Sequence, residues 1–168
     1  ANFNLGSPLT LPLPTRSGYT FTGWNNPSAT SVGLNGGSYS PPATITLTAQ
    51  WSAIVYTISY NGNGSTGGTP AVASESWTYS PTNPLTLSGR GDLVKTGFTF
   101  EGWATTANAN SAITTASPTT NTTYYAVWSA TQYTVAYAPG VGASGSIASP
   151  GNKTLGHTFT LDTGSILT

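Results

Sequence analysis

A nine-residue phrase occurs twice in this chain, as Arg16-Ser17-Gly18-Tyr19-Thr20-Phe21-Thr22-Gly23-Trp24 and as Lys95-Thr96-Gly97-Phe98-Thr99-Phe100-Glu101-Gly102-Trp103. A duplicated phrase means a duplicated structural unit, so the fold must be one that a short stretch can specify twice. Within the first copy, Tyr19, Phe21 and Gly23 alternate with Thr20, Thr22 and Trp24. That period of two puts alternate residues on opposite faces of a strand, so aromatic rings line one face. The leading glycine suits a positive φ where the chain turns into the strand, and the second allows close approach just before the tryptophan.

Two further segments recur at nearly the same distance. Ile45-Thr46-Leu47-Thr48-Ala49-Gln50-Trp51-Ser52-Ala53 matches Thr123-Tyr124-Tyr125-Ala126-Val127-Trp128-Ser129-Ala130, with Trp51 and Trp128 77 residues apart. Tyr56-Thr57-Ile58-Ser59-Tyr60 and Tyr133-Thr134-Val135-Ala136-Tyr137 are also 77 apart, whereas Trp24 and Trp103 are 79 apart. The period divides the 168 residues into three parts. Residues 1–53 form a partial module lacking its first strand, 54–130 a complete module, and 131–168 a partial module lacking its signature strand.

In chain order, a short strand is expected over Asn2–Leu5, then an extended Pro8–Pro14, because prolines bar helix and bias their predecessors to β or PPII. A polar loop or hairpin containing Asn35-Gly36-Gly37 spans Asn25–Pro42 before a strand over Thr44–Trp51, whose Ile45, Leu47 and Ala49 face the core. Tyr56–Asn61 and Glu75–Tyr79 read as strands flanking a glycine-rich tip, Gly62–Gly68. Leu85–Val94 leads to the second signature strand, with one helical turn near Gly91–Lys95. The third part holds a strand over Tyr133–Tyr137 and extended segments Thr158–Leu161 and Gly164–Thr168.

Charged residues make up 5% of the chain, four basic and four acidic, against about 25% in typical soluble proteins. There is no basic stripe, so nucleic acid is excluded as an expected partner. A surface of hydroxyls and amides suits wall or matrix proteins. The chain has no cysteine, hence no disulfide framework or thiolate metal site. No apolar run approaches about 18 residues, so no membrane insertion is expected in this segment. The start, Ala1-Asn2-Phe3-Asn4, lacks a charged and apolar leader, so the chain is expected to be soluble as given, with any export signal or anchor outside it.

The succession of a Tyr-Thr-hydrophobic strand, a glycine-rich tip, Leu-Thr-Leu, Lys/Arg-x-Gly-Tyr/Phe-x-Phe-x-Gly-Trp and Ala-x-Trp resembles the Listeria-Bacteroides repeat, the B repeat of internalin B. The resemblance covers nearly the whole chain. It implies a mainly β fold, α+β at family level: tandem small β-grasp-like modules with mixed sheets and little helix, a short helix or turn lying against one face. It also implies a serial module of long bacterial surface proteins, stalks or adhesins, at the extracellular cell surface.

No residue set points to catalysis. His157 has no distinctive partner, and Glu75, Asp92, Glu101 and Asp162 are scattered rather than paired as glycoside hydrolysis requires. No enzyme activity, metal or cofactor is expected. The tripeptide Arg90-Gly91-Asp92 spells an integrin-binding sequence but reads as turn chemistry. Lys95 and Lys153 are candidates for a lysine-asparagine isopeptide beside a buried acid. Asn63-Gly64-Ser65 and Asn121-Thr122-Thr123 match glycosylation sequons and mark loops, and the threonines Thr44, Thr46 and Thr48 mark a solvent side.

The aromatics Tyr19, Phe21, Trp24, Trp51, Phe98, Phe100, Trp103 and Trp128 occupy repeated positions and are expected in the core. Trp77 lacks a repeated counterpart and, with Tyr79, is the candidate for an exposed ligand platform. Three functions compete: a structural spacer of an extracellular stalk; a filament subunit joined by strand complementation between chain ends; and an adhesin module binding a glycan or host surface protein. The spacer is the preferred reading, with neighbouring repeats of the same or an adjacent chain as partners.

Overall fold

A computed structural model describes residue 4 and residues 6–34, 36–136, 141–142 and 151–154. The expected strands over Thr158–Leu161 and Gly164–Thr168, most of Asn2–Leu5, and His157, Asp162, Asn35 and Tyr137 lie outside the described residues. Those described hold strands and turns but no helix. The strands are β1 (Leu9–Thr10), β2 (Tyr19–Asn25), β3 (Ser31–Gly33), β4 (Ser38–Tyr39), β5 (Thr48–Ala53), β6 (Val55–Asn61), β7 (Ser74–Thr78), β8 (Leu85–Thr86), β9 (Phe98–Ala104), β10 (Thr115–Ala116), β11 (Thr122–Ala130), β12 (Gln132–Val135) and β13 (Gly151–Thr154). The chain is mainly β, as the alternating aromatic and threonine patterns require.

Two compact units emerge, one of residues 1–58, 74–86 and 115–122, the other of residues 59–73, 87–114 and 123–168. In the first, β2 pairs antiparallel with β3 and β5 to give the order β3-β2-β5, and β1 pairs with β4. Leu11 and Pro41 are fully buried beside these strands. The Asn25–Pro42 stretch forms the expected hairpin. Its turn closes on Asn26, whose side-chain oxygen accepts from the Ser28 and Thr30 amides, allowing Ala29 a positive φ of 58°.

A four-stranded sheet runs in the order β7-β6-β11-β9. The outer pairs are antiparallel: Tyr60 N–H donates to Ala73 O and Tyr79 N–H to Ile54 O across β6 and β7, and β11 runs against β9. The middle pair is parallel. Asn121 Oδ1 accepts from Thr57 N–H at the start of both strands, while Trp128 Nε1 donates to Gly62 O beyond the end of β6. The sheet is therefore mixed, and parallel pairing requires the long connection that residues 62–121 provide. Along β6, Tyr56, Ile58 and Tyr60 are buried and alternate with Thr57, Ser59 and Asn61, which are exposed or half-buried.

Three sequence expectations need correction. The strand expected over Thr44–Trp51 begins only at Thr48; Thr44 and Thr46 are exposed but lie outside any strand, so no threonine ladder forms there. No helical turn occupies Gly91–Lys95. Gly91 sits at φ 63°, a left-handed conformation that ends helical propagation, and Val94 instead bridges to Gly67.

The third correction concerns the signature strand itself. Strict alternation would send Trp24 to the face opposite Phe21, yet the two rings meet at 5.6 Å. Register explains it: Phe21 opposes Trp51 while Gly23 opposes Gln50, leaving Thr22 as an extra residue. The same bulge recurs at Glu101, between Phe100 opposite Trp128 and Gly102 opposite Val127. A β-bulge resets the side-chain parity, and Gly23 and Gly102, both at φ 139°, supply the backbone it needs.

Candidate functional site

The two copies build the same aromatic cluster. Phe21 lies edge-on to Trp24 at 5.6 Å and to Trp51 at 5.5 Å; Phe100 lies edge-on to Trp103 at 5.2 Å and to Trp128 at 5.5 Å. Such pairs contribute about 0.5 to 1.5 kcal/mol beyond their buried area. The tryptophan that closes each phrase is anchored by its indole N–H, Trp24 to Pro12 O at 3.0 Å and Trp103 to Ser88 O at 2.7 Å. The cation that opens each phrase stacks on its first ring, Arg16 over Tyr19 at 3.9 Å and Lys95 over Phe98 at 4.8 Å.

The copies differ in how fully the cluster is covered. Trp103 is 2% exposed, whereas Tyr19, Phe21, Trp24, Trp51, Phe98, Phe100 and Trp128 are half-buried. Trp103 owes its burial to Tyr60 of β6, whose ring centre is 4.7 Å away. Ser88 ties the pair together, donating its N–H to Tyr60 Oη and accepting from Trp103 Nε1.

The tip Gly62–Gly68 is packed rather than loose. Thr66 N–H donates to Val94 O at 2.7 Å, Val94 N–H to Gly67 O at 3.0 Å, and Thr96 N–H to Thr66 Oγ1 at 3.0 Å. Asn63 organises the turn. Its amide donates to Ala107 O and Ala126 O, both at 2.8 Å, and its N–H reaches Asn61 Oδ1 at 2.8 Å, which together hold a φ of 48°. Beside it opens a polar cavity of about 330 Å³ lined by Asn63, Lys95, Asn108, Asn110 and Trp128. Composition hid Asn63's role, because the tip reads as flexible glycine-rich linker; the signal was an asparagine between two glycines, a residue that tolerates left-handed φ.

Trp77 does not form an exposed platform. It is 8% exposed, with Tyr79 edge-on to it at 5.9 Å and Tyr79 in turn edge-on to Tyr19 at 5.4 Å. The alternation Glu75, Trp77, Tyr79 already pointed these side chains to one face of the strand expected over Glu75–Tyr79. Arg90 and Asp92 lie exposed on a turn held by Asp92 N–H to Thr69 O. Among the described residues no acidic side chain is buried, so the isopeptide reading lacks the buried acid it needs. Glu101 instead accepts from the Ser129 hydroxyl at the surface, and no cluster of three metal-ligating side chains occurs among the described residues.

The profile of the Listeria-Bacteroides repeat domain matches residues 2–50 and 56–127. The chain belongs to this family. Among curated proteins of Evansella cellulosilytica, one that goes by the name of a Gly-rich membrane protein is 30% identical over 138 residues, covering 73% of this chain. A second, named a membrane protein, is 32% identical over 101 residues, covering 60% of this chain. The chain spans 15% of the length of each of these relatives. No solved structure matches it.

In this Listeria-Bacteroides repeat, Tyr124 titrates away from its ordinary value of 10.0, raised because burial disfavours the phenolate. Stability from Tyr124 is therefore full below pH 10.0, the unfolded value, and is lost as pH rises through the higher folded value. Melting temperature followed up the alkaline range is expected to fall from about that point, and Tyr124→Phe to fall less steeply. Equal slopes for both proteins would contradict the assignment.

Proposed function

We propose that this chain is a serial structural segment, a spacer, of an extracellular bacterial surface protein, and that it works by folding rather than by catalysis. The observation that carries this reading is the repeated junction. β5 ends at Ala53 and β6 begins at Val55; β11 ends at Ala130 and β12 begins at Gln132. At each junction the single intervening residue donates its N–H back to the glycine that opens the signature strand, Ile54 to Gly18 O at 3.0 Å and Thr131 to Gly97 O at 2.8 Å. One residue, pinned by one hydrogen bond, is a joint with little freedom, and repetition of the same joint is what a stalk requires.

Family membership and relatives named as membrane proteins support placement in the cell envelope, with neighbouring repeats as the partners of each module. The low charge and the hydroxyl-rich surface suit an extracellular position. Arrays of increasing copy number test the reading. Their hydrodynamic radius is expected to grow nearly in proportion to copy number, as for a stiff rod. Growth with the weaker dependence of a flexible coil would overturn it.

A further inference from the structure

The polar cavity beside Asn63 is lined entirely by residues between 63 and 128, and its walls are held before anything enters it. One wall is the loop that follows β9. Across the base of that loop Ile113 N–H donates to Trp103 O at 2.8 Å and Trp103 N–H to Ile113 O at 3.5 Å, and within it Ala109 N–H donates to Thr106 O at 3.3 Å. Asn63 ties the loop to the sheet, its amide reaching Ala107 O in the loop and Ala126 O in β11. Another wall is Lys95, whose backbone is pinned on both sides, by Val94 N–H to Gly67 O and by Phe98 N–H to Lys95 O at 2.9 Å.

The side chains around the cavity have different amounts left to give. Asn63 spends both amide hydrogens on those carbonyls, and Trp128 spends its indole N–H on Gly62 O. Trp128 therefore lends ring surface rather than a donor. Asn108 and Asn110 are exposed, and among the described residues neither side chain has a hydrogen-bond partner. Lys95 brings the only charge in the lining. It lies over Phe98 at 4.8 Å, and no carboxylate pairs with it among the described residues. In a chain with four basic and four acidic side chains, an unmatched ammonium beside free amides attracts an anion.

The remaining question is what kind of anion uses every wall. An inorganic anion would engage Lys95 and leave the tryptophan idle; a neutral sugar would engage the ring and the amides and leave the ammonium unmatched. A sugar bearing a carboxylate engages all three, with an apolar ring face for the indole, hydroxyls for the amides and a charged acceptor for the lysine. The cavity of about 330 Å³ is at the small end of ligand sites, which run from about 300 to 1,000 Å³. That suits one sugar ring rather than a run of them.

We propose that this cavity binds a single uronic acid residue of an acidic polysaccharide, with its carboxylate on Lys95, its hydroxyls on Asn108 and Asn110 and its ring against Trp128. Walls already fixed by hydrogen bonds have little left to order when the sugar enters, which favours binding.

Nuclear magnetic resonance titration of the full chain with methyl glucuronide, methyl glucoside and acetate tests this. The glucuronide is expected to bind in the millimolar range and to shift the Trp128 indole N–H signal and the side-chain amide signals of Asn108 and Asn110. The glucoside and acetate are each expected to bind about tenfold more weakly, the scale set by losing one charge-assisted hydrogen bond or the ring contact. Added salt should weaken the glucuronide, because Lys95 is reached by solvent. Lys95→Gln is expected to erase the preference for glucuronide over glucoside. Asn108→Ala removes an exposed side chain with no described partner, so it should weaken the sugar while the melting temperature stays unchanged. Silence of the Trp128, Asn108 and Asn110 signals, acetate or glucoside binding as tightly as the glucuronide, or a preference that survives Lys95→Gln would each overturn the proposal.

Discussion

Trp103→Ala is expected to cost about 3 to 5 kcal/mol, as truncation of a buried aromatic typically does. The residue is 2% exposed and touches both Tyr60 and Phe100, so its removal opens a cavity in the middle of the cluster. It also leaves Ser88 O without the indole donor 2.7 Å away, and a carbonyl stranded in a part-buried place adds to the loss. Domains of this size have total stabilities of only about 5 to 15 kcal/mol, so the loss is a large share. Trp24→Ala removes the matching residue of the first copy, which is half-buried and lacks a Tyr60 above it among the described residues. Its cost is expected to be clearly smaller. Urea denaturation of both variants measures the difference, and equal costs would show that the two clusters are covered alike.

The second large effect is expected at Gly68. This residue adopts φ 75°, and a Cβ placed on it would collide with the Asp92 carbonyl. A left-handed conformation costs a non-glycine residue about 1 to 2 kcal/mol, and forcing atoms into an occupied space typically costs about 1 to 3 kcal/mol more. Because the obstructing atoms are backbone, no side chain can swing away to relieve them. Gly68→Ala is therefore expected to lose roughly 2 to 5 kcal/mol, the sum of those two ranges. It should also release the tip, seen as faster hydrogen exchange at the Thr66 and Val94 amides. Gly89→Ala is the control: nothing lies within 4 Å of the position its Cβ would take, and stability there should be unchanged.

These two predictions rest on different amounts of sequence information. The repeated phrase named Trp103 as a core residue, because a ring that recurs at a fixed place in a duplicated unit is there to pack. Gly68 stood out only as one glycine among several in a polar stretch. Its constraint comes from Asp92, 24 positions away in the chain, and no local pattern reports a contact of that separation.

Local chemistry determined a good deal about this protein. The duplication, the mainly β architecture, the family, and the strands around Tyr19–Trp24, Tyr56–Asn61 and Phe98–Trp103 were legible, because period-two patterning and threonine-aromatic preference act between near neighbours. Tertiary structure decided what depends on distant partners. The bulges at Thr22 and Glu101 bring Trp24 and Trp103 beside Phe21 and Phe100, and only the register against β5 and β11 reveals them. Burial of Trp77 on β7, seating of the glycine-rich tip against Leu93–Thr96, and the difference in cover between Trp24 and Trp103 share the same cause. Each is set by which strand lies alongside, and two stretches with the same sequence pattern acquire different surroundings when, among the described residues, only one of them has that neighbour.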